Sequence, residues 1–191
     1  GGNIGIVVFE ASVEIRRNVI VNNLLGSQGG GIFLQTCSAV IANNLIRGNT
    51  TSADGGAIEV ESCTGPVSII NNTIDSNSSS NSLSIGQAIG IINSSSVLIQ
   101  NNIISNHNAF GKAAVGVSGT APVVRNNLFF NNAILYYDSG TVSTIAGLNA
   151  LASNGGNIAG DPAYVNYSYD PLNAPLTAPG TPPLPGAPAP A

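Results

Sequence analysis

The stretch GGGIFLQTCSAVIANNLIRGN, residues 29–49, returns in altered form as GGAIEVESCTGPVSIINNTIDSN, residues 55–77. Both stretches place glycines before an apolar segment and an Asn before a second one. The pattern of Ile or Val three residues before an Asn, with Ile or Phe two residues after it, occurs at five anchors: Asn18, Asn44, Asn72, Asn102 and Asn127. The anchors step by 26, 28, 30 and 25 residues, so the chain is built on an internal repeat.

Each repeat contains three short segments in which apolar residues alternate with other residues. The first of these reads, repeat by repeat, Ile4-x-Ile6, Ile32-x-Leu34, Ile58-x-Val60, Ile89-x-Ile91 and Val115-x-Val117. Strands this short cannot bury their apolar face alone, so we expect each to stack on the next repeat. The repeat length varies by several residues, which is typical of a solenoid whose insertions lie in turns. We therefore predict an all-β fold, a right-handed parallel β-helix of about five coils.

The five anchor asparagines are predicted to form an internal ladder. An inward Asn at a bend tolerates left-handed backbone geometry, and its amide can bond to the Asn about 4.8 Å away in the next coil. A second polar position follows each anchor by five residues and holds Asn23, Asn49, Asn77, His107 and Asn132. We therefore interpret His107 as a satisfied turn residue.

The pattern stops after Asn132, which divides the chain into coils (1–132), a C-terminal cap (133–170) and a Pro/Ala-rich tail (171–191). Helical spacing at 143–152 predicts a helix in the cap, and residues 157–158 and 163–165 predict a last strand pair. An extended Pro-rich tail gains order only by docking, and we expect it to dock across a subunit contact. Its apolar residues for that contact are Leu172, Leu176 and Leu184. Because Met is absent and the chain opens inside a repeat, we expect a processed product or a fragment.

The charge content is low and excludes several partners. Charged residues make up 7% of the chain and the net charge is −4, so no basic patch is available for nucleic acid. No apolar run approaches the roughly 20 residues that a membrane span needs. The residues predict no cofactor and no metal site.

Four outward positions on the first strand of coils two and three form a candidate ligand face: Phe33, Gln35, Glu59 and Glu61. Glu59 and Glu61 lie roughly 6.6 Å apart along a strand, a spacing compatible with an inverting pair of carboxylates or with part of a calcium site. Neighbouring coils add no carboxylate, base or His, so we favour a solvated acidic patch and predict no catalytic residues. Phe33 is expected to be an exposed aromatic that could stack a sugar ring. Arg47 and Asp75 are predicted to form a surface ion pair.

Cys37 and Cys63 each follow the first Ile of their coil by five residues, so they are predicted to be neighbours in adjacent coils. The spacing of adjacent coils permits a disulfide. The alternative is a stack of two small buried side chains, and the sequence leaves both open.

The GGGI and GGAI glycine motifs, with IRGN, IDSN and FFNN, resemble the GGA[ILV] and FxxN repeats of polymorphic outer-membrane protein passengers. GGNIAGDPAYVN, residues 155–166, is similar to the closing segment of bacterial right-handed parallel β-helix repeat proteins. The resemblance implies an extracellular or bacterial cell-surface protein. It implies no single activity, because this architecture hosts lyases, hydrolases and adhesins alike.

The leading interpretation is a non-catalytic extracellular structural or adhesive protein that associates with copies of itself, as a filament or surface-layer component. An uncapped strand end would expose backbone groups that head-to-tail stacking satisfies. The alternative is a carbohydrate-active enzyme or a carbohydrate-binding module that uses the Phe33/Glu59/Glu61 face, with a polysaccharide as partner.

Overall fold

A computed structural model describes residues 5–25, 28–80, 85–108 and 112–164. The contacts divide the chain after Gly160, and the unit before this point is a solenoid of short strands. Each strand pairs in parallel with the equivalent strand of the next turn, and one antiparallel pair closes the far end. The predicted parallel β-helix is confirmed.

Four sheets run along the solenoid. Sheet A contains, in spatial order, β1 (Ile6–Phe9), β5 (Ile32–Gln35), β9 (Ile58–Glu61), β13 (Gly86–Ile92), β16 (Ala113–Ser118), β19 (Ile134–Asp138) and β20 (Thr141–Val142). Sheet B contains β2 (Ser12–Arg16), β6 (Ser38–Ala42), β10 (Val67–Ile70), β14 (Val97–Gln100) and β17 (Val123–Arg125). Sheet C contains β3 (Val19–Val21), β7 (Leu45–Arg47), β11 (Thr73–Asp75), β15 (Ile103–Ser105), β18 (Leu128–Phe130) and β21 (Ile158–Ala159). Sheet D contains β4 (Leu24–Leu25), β8 (Thr50–Thr51) and β12 (Ser78–Ser79).

The solenoid has six turns, one for each strand of sheet C, where the sequence pattern predicts about five. The sixth turn escaped the pattern because its Asn157 is preceded at −3 by Asn154 instead of Ile or Val. The first three turns also carry a fourth strand, in sheet D, where three strands per turn were expected. Strands of two residues, such as Ser78–Ser79, have no period that a sequence pattern could detect.

The register of the first turn differs from the prediction by two residues. Ile6 pairs with Ile32 and Val8 with Leu34, whereas the sequence pattern matched Ile4 to Ile32. Ile4 lies outside the described residues. Residues 4, 6 and 8 are all apolar, so either register keeps an apolar side chain inward.

The inward side chains form apolar columns along the solenoid axis. In sheet A one column contains Ile32, Ile58, Ile89 and Val115, all fully buried. Branched side chains of similar shape repeat at the strand spacing, so each packs on its equivalent above and below.

The asparagine ladder is present at the bend between sheets B and C. The backbone N–H and Nδ2 of Asn44 both donate to Oδ1 of Asn72, at 2.9 Å each, and Nδ2 also donates to the Ile15 carbonyl at 2.9 Å. Backbone and amide donors bond in the same way between all five predicted residues: Asn18, Asn44, Asn72, Asn102 and Asn127. The ladder also extends one turn further than predicted.

Asn157 is the sixth member of the ladder. Its Oδ1 accepts from the backbone N–H and Nδ2 of Asn127, both at 3.0 Å. Asn149 then terminates the column, because its Oδ1 accepts from the backbone N–H and Nδ2 of Asn157. At this end of the ladder the side-chain amides of Asn157 and Asn149 are both hydrogen-bonded.

Left-handed backbone geometry falls on the residue before each ladder Asn, not on the ladder Asn as expected. Asn43, Asn71, Asn101 and Asn126 have φ between 55 and 57°, and Arg17 takes this role in the first turn. The preceding residue turns the chain, which leaves the ladder Asn free to point inward.

The second polar column lies at the bend between sheets C and D. Asn23, Asn49 and Asn77 repeat the amide geometry, and His107 replaces Asn in the fourth turn. Nδ1 of His107 lies 3.2 Å from the acceptor Oδ1 of Asn132, so Nδ1 carries the proton. Burial lowers the pKa of His107 to about 4, so the ring is neutral at pH 7.

A short cap covers the C-terminal end of the core. Helix α1 (Ile145–Ala150) begins after Thr144, whose hydroxyl accepts from the backbone N–H of Gly147, and its Leu148 is fully buried. The helix is shorter than the predicted 143–152, and no described helix is long and apolar enough to cross a bilayer. Of the predicted last strand pair, β21 is present, whereas Ala163 and Tyr164 lie in no strand. Residues 165–191, with the predicted tail anchors, lie outside the described residues, and the boundaries at 132 and 170 stay predictions.

Replacement of Asn72 by Ala should destabilise the solenoid by about 1–3 kcal/mol, because it removes the acceptor of the buried Asn44 backbone N–H and a donor to the Ile41 carbonyl and to Oδ1 of Asn102. Chemical denaturation measures the change. Ser68→Ala is the matched control, since Ser68 faces outward from the strand that precedes Asn72. Equal stabilities of the Asn72→Ala and Ser68→Ala variants would contradict a ladder that carries stability.

Candidate functional site

The candidate ligand face lies on the outer side of sheet A. Phe33 pairs in register with Glu59, and Gln35 pairs with Glu61. The structure therefore brings the four predicted side chains together as two adjacent rows. In the next turn, Gly90 pairs in register with Glu59 and continues the first row.

A layer of loops covers the first row. A Cβ atom built on Gly29 would lie 2.8 Å from the Cβ of Glu59, and one on Gly90 would lie 2.8 Å from the Cβ of Asp54. Any side chain at Gly29 or Gly90 would therefore collide with the opposing layer. The glycines that precede the strands in the sequence let this covering layer approach sheet A.

Phe33 is fully buried, which corrects the prediction of an exposed aromatic. The exposed aromatic is Phe9, which is 51% exposed and packs edge-on against Phe33 with ring centroids 5.6 Å apart. Phe9 pairs in register with Gln35 and so belongs to the second row. The sequence pattern missed it because of the two-residue error in the register of the first turn.

Glu59 is only 5% exposed, which corrects the prediction of a solvated acidic patch. Its Oε2 is buried and has no hydrogen-bond partner among the described residues. Burial, and next the negative charges of Asp54 and Glu61, raise the pKa of Glu59 to about 8, against the opposing effect of the Gly29 backbone N–H. Glu59 is therefore largely protonated at pH 7.

Glu61 has a different environment from Glu59. Its side chain is partly exposed, and its Oε2 accepts from Nε2 of Gln35 at 3.0 Å. An inverting glycosidase needs both carboxyl groups to face the substrate. The covering layer keeps Glu59 from doing so, and this face does not present such a pair.

Asp54 lies beside Glu59 in the covering layer, and Lys112 lies near Asp54. Oδ1 of Asp54 accepts from the backbone N–H of Ile85 at 2.6 Å, and Nζ of Lys112 donates to the Ser79 carbonyl at 3.3 Å. Burial lowers the pKa of Lys112, although the charge of Asp54 opposes this change. Asp54 was not predicted, and its only signal is its place before Gly55-Gly56 in the loop. Across residues 5–25, 28–80, 85–108 and 112–164, no three His, Cys, Asp or Glu side chains are arranged to hold a metal.

The Arg47–Asp75 ion pair is present but is not a surface pair. Nε of Arg47 lies 3.1 Å from Oδ2 of Asp75, whose side chain is only 2% exposed. Ser105 Oγ and Asn106 Nδ2 each donate to Oδ1 of Asp75 at 2.7 Å. The pair therefore belongs to a buried network that joins three turns.

Cys37 and Cys63 are neighbours in adjacent turns, as their spacing predicts. Both are buried free thiols, with their Sγ atoms 3.3 Å apart. The backbone N–H of Cys63 donates to Oγ of Ser94 at 3.0 Å, so Ser94 continues the column. In the first turn the equivalent residue is Ala11, because Ser12 pairs with Ser38.

The free energy of unfolding should fall by about 1 kcal/mol between pH 6.5 and pH 8, because Glu59 lowers it by about 1.6 kcal/mol and His107, whose folded pKa is about 4, raises it by about 0.4 kcal/mol. Glu59 of the unfolded chain is ionised throughout this range, whereas folded Glu59 keeps its proton until about pH 8, so rising pH favours unfolding. Chemical denaturation at several pH values measures this slope, and Glu59→Gln should remove the fall and leave the slight rise that His107 contributes. Glu14→Gln is the control and should keep the fall, because Arg16 holds the pKa of exposed Glu14 below its usual value. An equal slope in wild type and Glu59→Gln would contradict a buried, protonated Glu59.

The chain was compared with protein families, curated proteins and solved structures. The family model for a right-handed β-helix region matches residues 1–159. No curated protein and no solved structure gives a significant match. The matched region covers all six turns of the solenoid. The chain therefore belongs to the right-handed β-helix family.

Proposed function

We propose that this protein is a non-catalytic structural or adhesive β-helix that acts outside the cell or on a bacterial cell surface and associates with copies of itself. The observation that carries the proposal is the distribution of exposed apolar side chains. Among the described residues, the large hydrophobic side chains that are exposed are Val7, Phe9, Val19, Leu24 and Ile158. The first four all belong to the first turn.

The first turn also supplies an edge strand to every sheet. β1, β2, β3 and β4 each lie at the edge of their sheet, and no described strand pairs with their outer side. Unpaired backbone groups beside exposed apolar side chains form a template for another strand. A second copy of this chain offers the same edge and the same side chains.

The opposite end of the solenoid also has edge strands, β20, β17 and β21, but among the described residues it carries one exposed large hydrophobic side chain, Ile158, where the first turn carries four. Leu148 of α1 is buried against the core, and Asn149 occupies the end of the ladder. Two copies would therefore join first turn to first turn across a two-fold axis. Such a contact is closed and forms a pair instead of a filament. In this respect the proposal differs from the head-to-tail stacking expected from the sequence.

A non-catalytic role is supported by the covering layer over sheet A. Phe33 and Glu59, which the alternative interpretation offers to a polysaccharide, both lie beneath it. The extracellular or cell-surface location rests on the resemblance of the glycine motifs to outer-membrane protein passengers.

A second candidate function is carbohydrate binding at the second row of sheet A. Phe9, Gln35 and Glu61 follow each other in register there. An exposed aromatic ring next to an amide and a carboxylate is a combination that suits a sugar, because the ring offers an apolar face and the polar groups offer hydrogen bonds.

Light scattering tests the self-association. The wild-type chain should have twice its mass of 19.2 kDa at micromolar concentration. The double variant Val19→Lys/Leu24→Lys should be a monomer, since it puts like charges on both sides of the contact. Ile158→Lys, at an exposed position near the capped end, is the matched control and should still pair. A wild-type chain that remains at 19.2 kDa would contradict the proposal.

A polysaccharide-binding screen distinguishes the second candidate function from the first. A carbohydrate-binding role would be favoured over self-association if the wild-type chain binds a polysaccharide, the Phe9→Ala variant does not, and the Val19→Lys/Leu24→Lys variant still does. The first candidate predicts that none of the three proteins binds polysaccharide.

A further inference from the structure

The bend between sheets A and B lacks the amide ladders that lie at the B–C and C–D bends. In the first four turns its inward column consists of Ala11, Cys37, Cys63 and Ser94. The backbone N–H of Cys37 donates to Sγ of Cys63 at 3.3 Å, whereas equivalent donors at the other two bends reach amide oxygens at about 3 Å. Since sulfur is a weak acceptor, the noncovalent link between the second and third turns is weakest here.

The two thiols already have a geometry close to that of a disulfide. Their Sγ atoms are 3.3 Å apart and need to approach by about 1.2 Å to reach bonding distance. Parallel strands in register place Cα atoms about 4.8 Å apart, within the range that disulfides adopt. Both side chains are buried, so no other thiol reaches them in the folded chain.

We infer that Cys37 and Cys63 form an intramolecular disulfide that links the second turn to the third. The oxidant is a small-molecule disulfide such as oxidised glutathione, of the kind present in oxidising compartments. The first thiolate attacks the oxidant and releases one small thiol. The second thiolate then attacks the mixed disulfide and releases the other. The two cysteines lose two protons and two electrons, and the oxidant becomes two thiols.

The disulfide forms during folding, before the bend between sheets A and B closes around the two cysteines. Burial, and next the neighbouring Cys63 thiol, raise the pKa of Cys37 to about 12, so Cys37 forms almost no thiolate in the folded chain. Exchange requires a thiolate, so the folded reduced protein should react slowly and the refolding chain quickly. This inference goes beyond the proposed function, because it is independent of self-association and of carbohydrate binding.

The test is refolding of the full chain in a buffer with reduced and oxidised glutathione, followed by acid quenching. Thiol titration in denaturant should find no free thiol, and the intact mass should correspond to one chain that is lighter by two hydrogen atoms. The closed loop contains 26 residues, so the oxidised chain should melt roughly 10 °C above the chemically reduced one.

Cys63→Ser is the matched control, because Ser already occupies the next position of the column in Ser94. This variant should fold, and its melting temperature should not respond to reductant. Two free thiols after oxidative refolding, a product of two cross-linked chains, or equal melting temperatures of oxidised and reduced wild type would each overturn the inference.

Discussion

The amide-to-amide hydrogen bond between successive turns is the interaction on which the rest of this structure depends. An Asn at the bend between sheets B and C accepts both the backbone N–H and the Nδ2–H of the Asn before it, and its own Nδ2 donates to a buried backbone carbonyl, as Asn44 does to Ile15. These bonds form only when successive turns are in register. They satisfy polar groups inside an apolar core, where each unpaired group costs about 1–3 kcal/mol. The ladder therefore selects one register for every turn.

That register determines what the sheets present. Because strands align turn upon turn, inward residues form apolar columns, and outward residues form rows such as Phe9, Gln35 and Glu61. Glycines next to the strands let the connecting loops lie directly on sheet A, which buries Phe33 and isolates Glu59. The regular stacking that builds the core therefore also buries Phe33 and Glu59, two residues of the ligand face that the sequence predicts. Of the large hydrophobic side chains that are exposed among the described residues, most lie in the first turn.

The fold could be predicted because its determinants repeat. Five anchors with the same apolar residues at −3 and +2 indicate stacked turns without knowledge of the loops. The sixth anchor, Asn157, lacks the apolar residue at −3, and residues 4, 6 and 8 of the first turn are all apolar, so they leave its register open. The site was harder to predict. The alternation of residues in a strand shows that Phe33 and Glu59 face outward, but it does not show that a layer of loops covers them. Asp54 is in a loop without a period, so its contact with Gly90 could be found only in three dimensions.

The side-chain amide protons of the ladder report on the central interaction directly. Hydrogen exchange of Asn side chains, followed by NMR, should show that Asn44, Asn72 and Asn102 exchange as slowly as the backbone amides of neighbouring strands. Exposed Asn101, which lies beside Asn102 but points away from the core, should exchange rapidly. The account predicts this contrast between adjacent residues. Exchange of the Asn72 and Asn102 amides at the rate of Asn101 would contradict it.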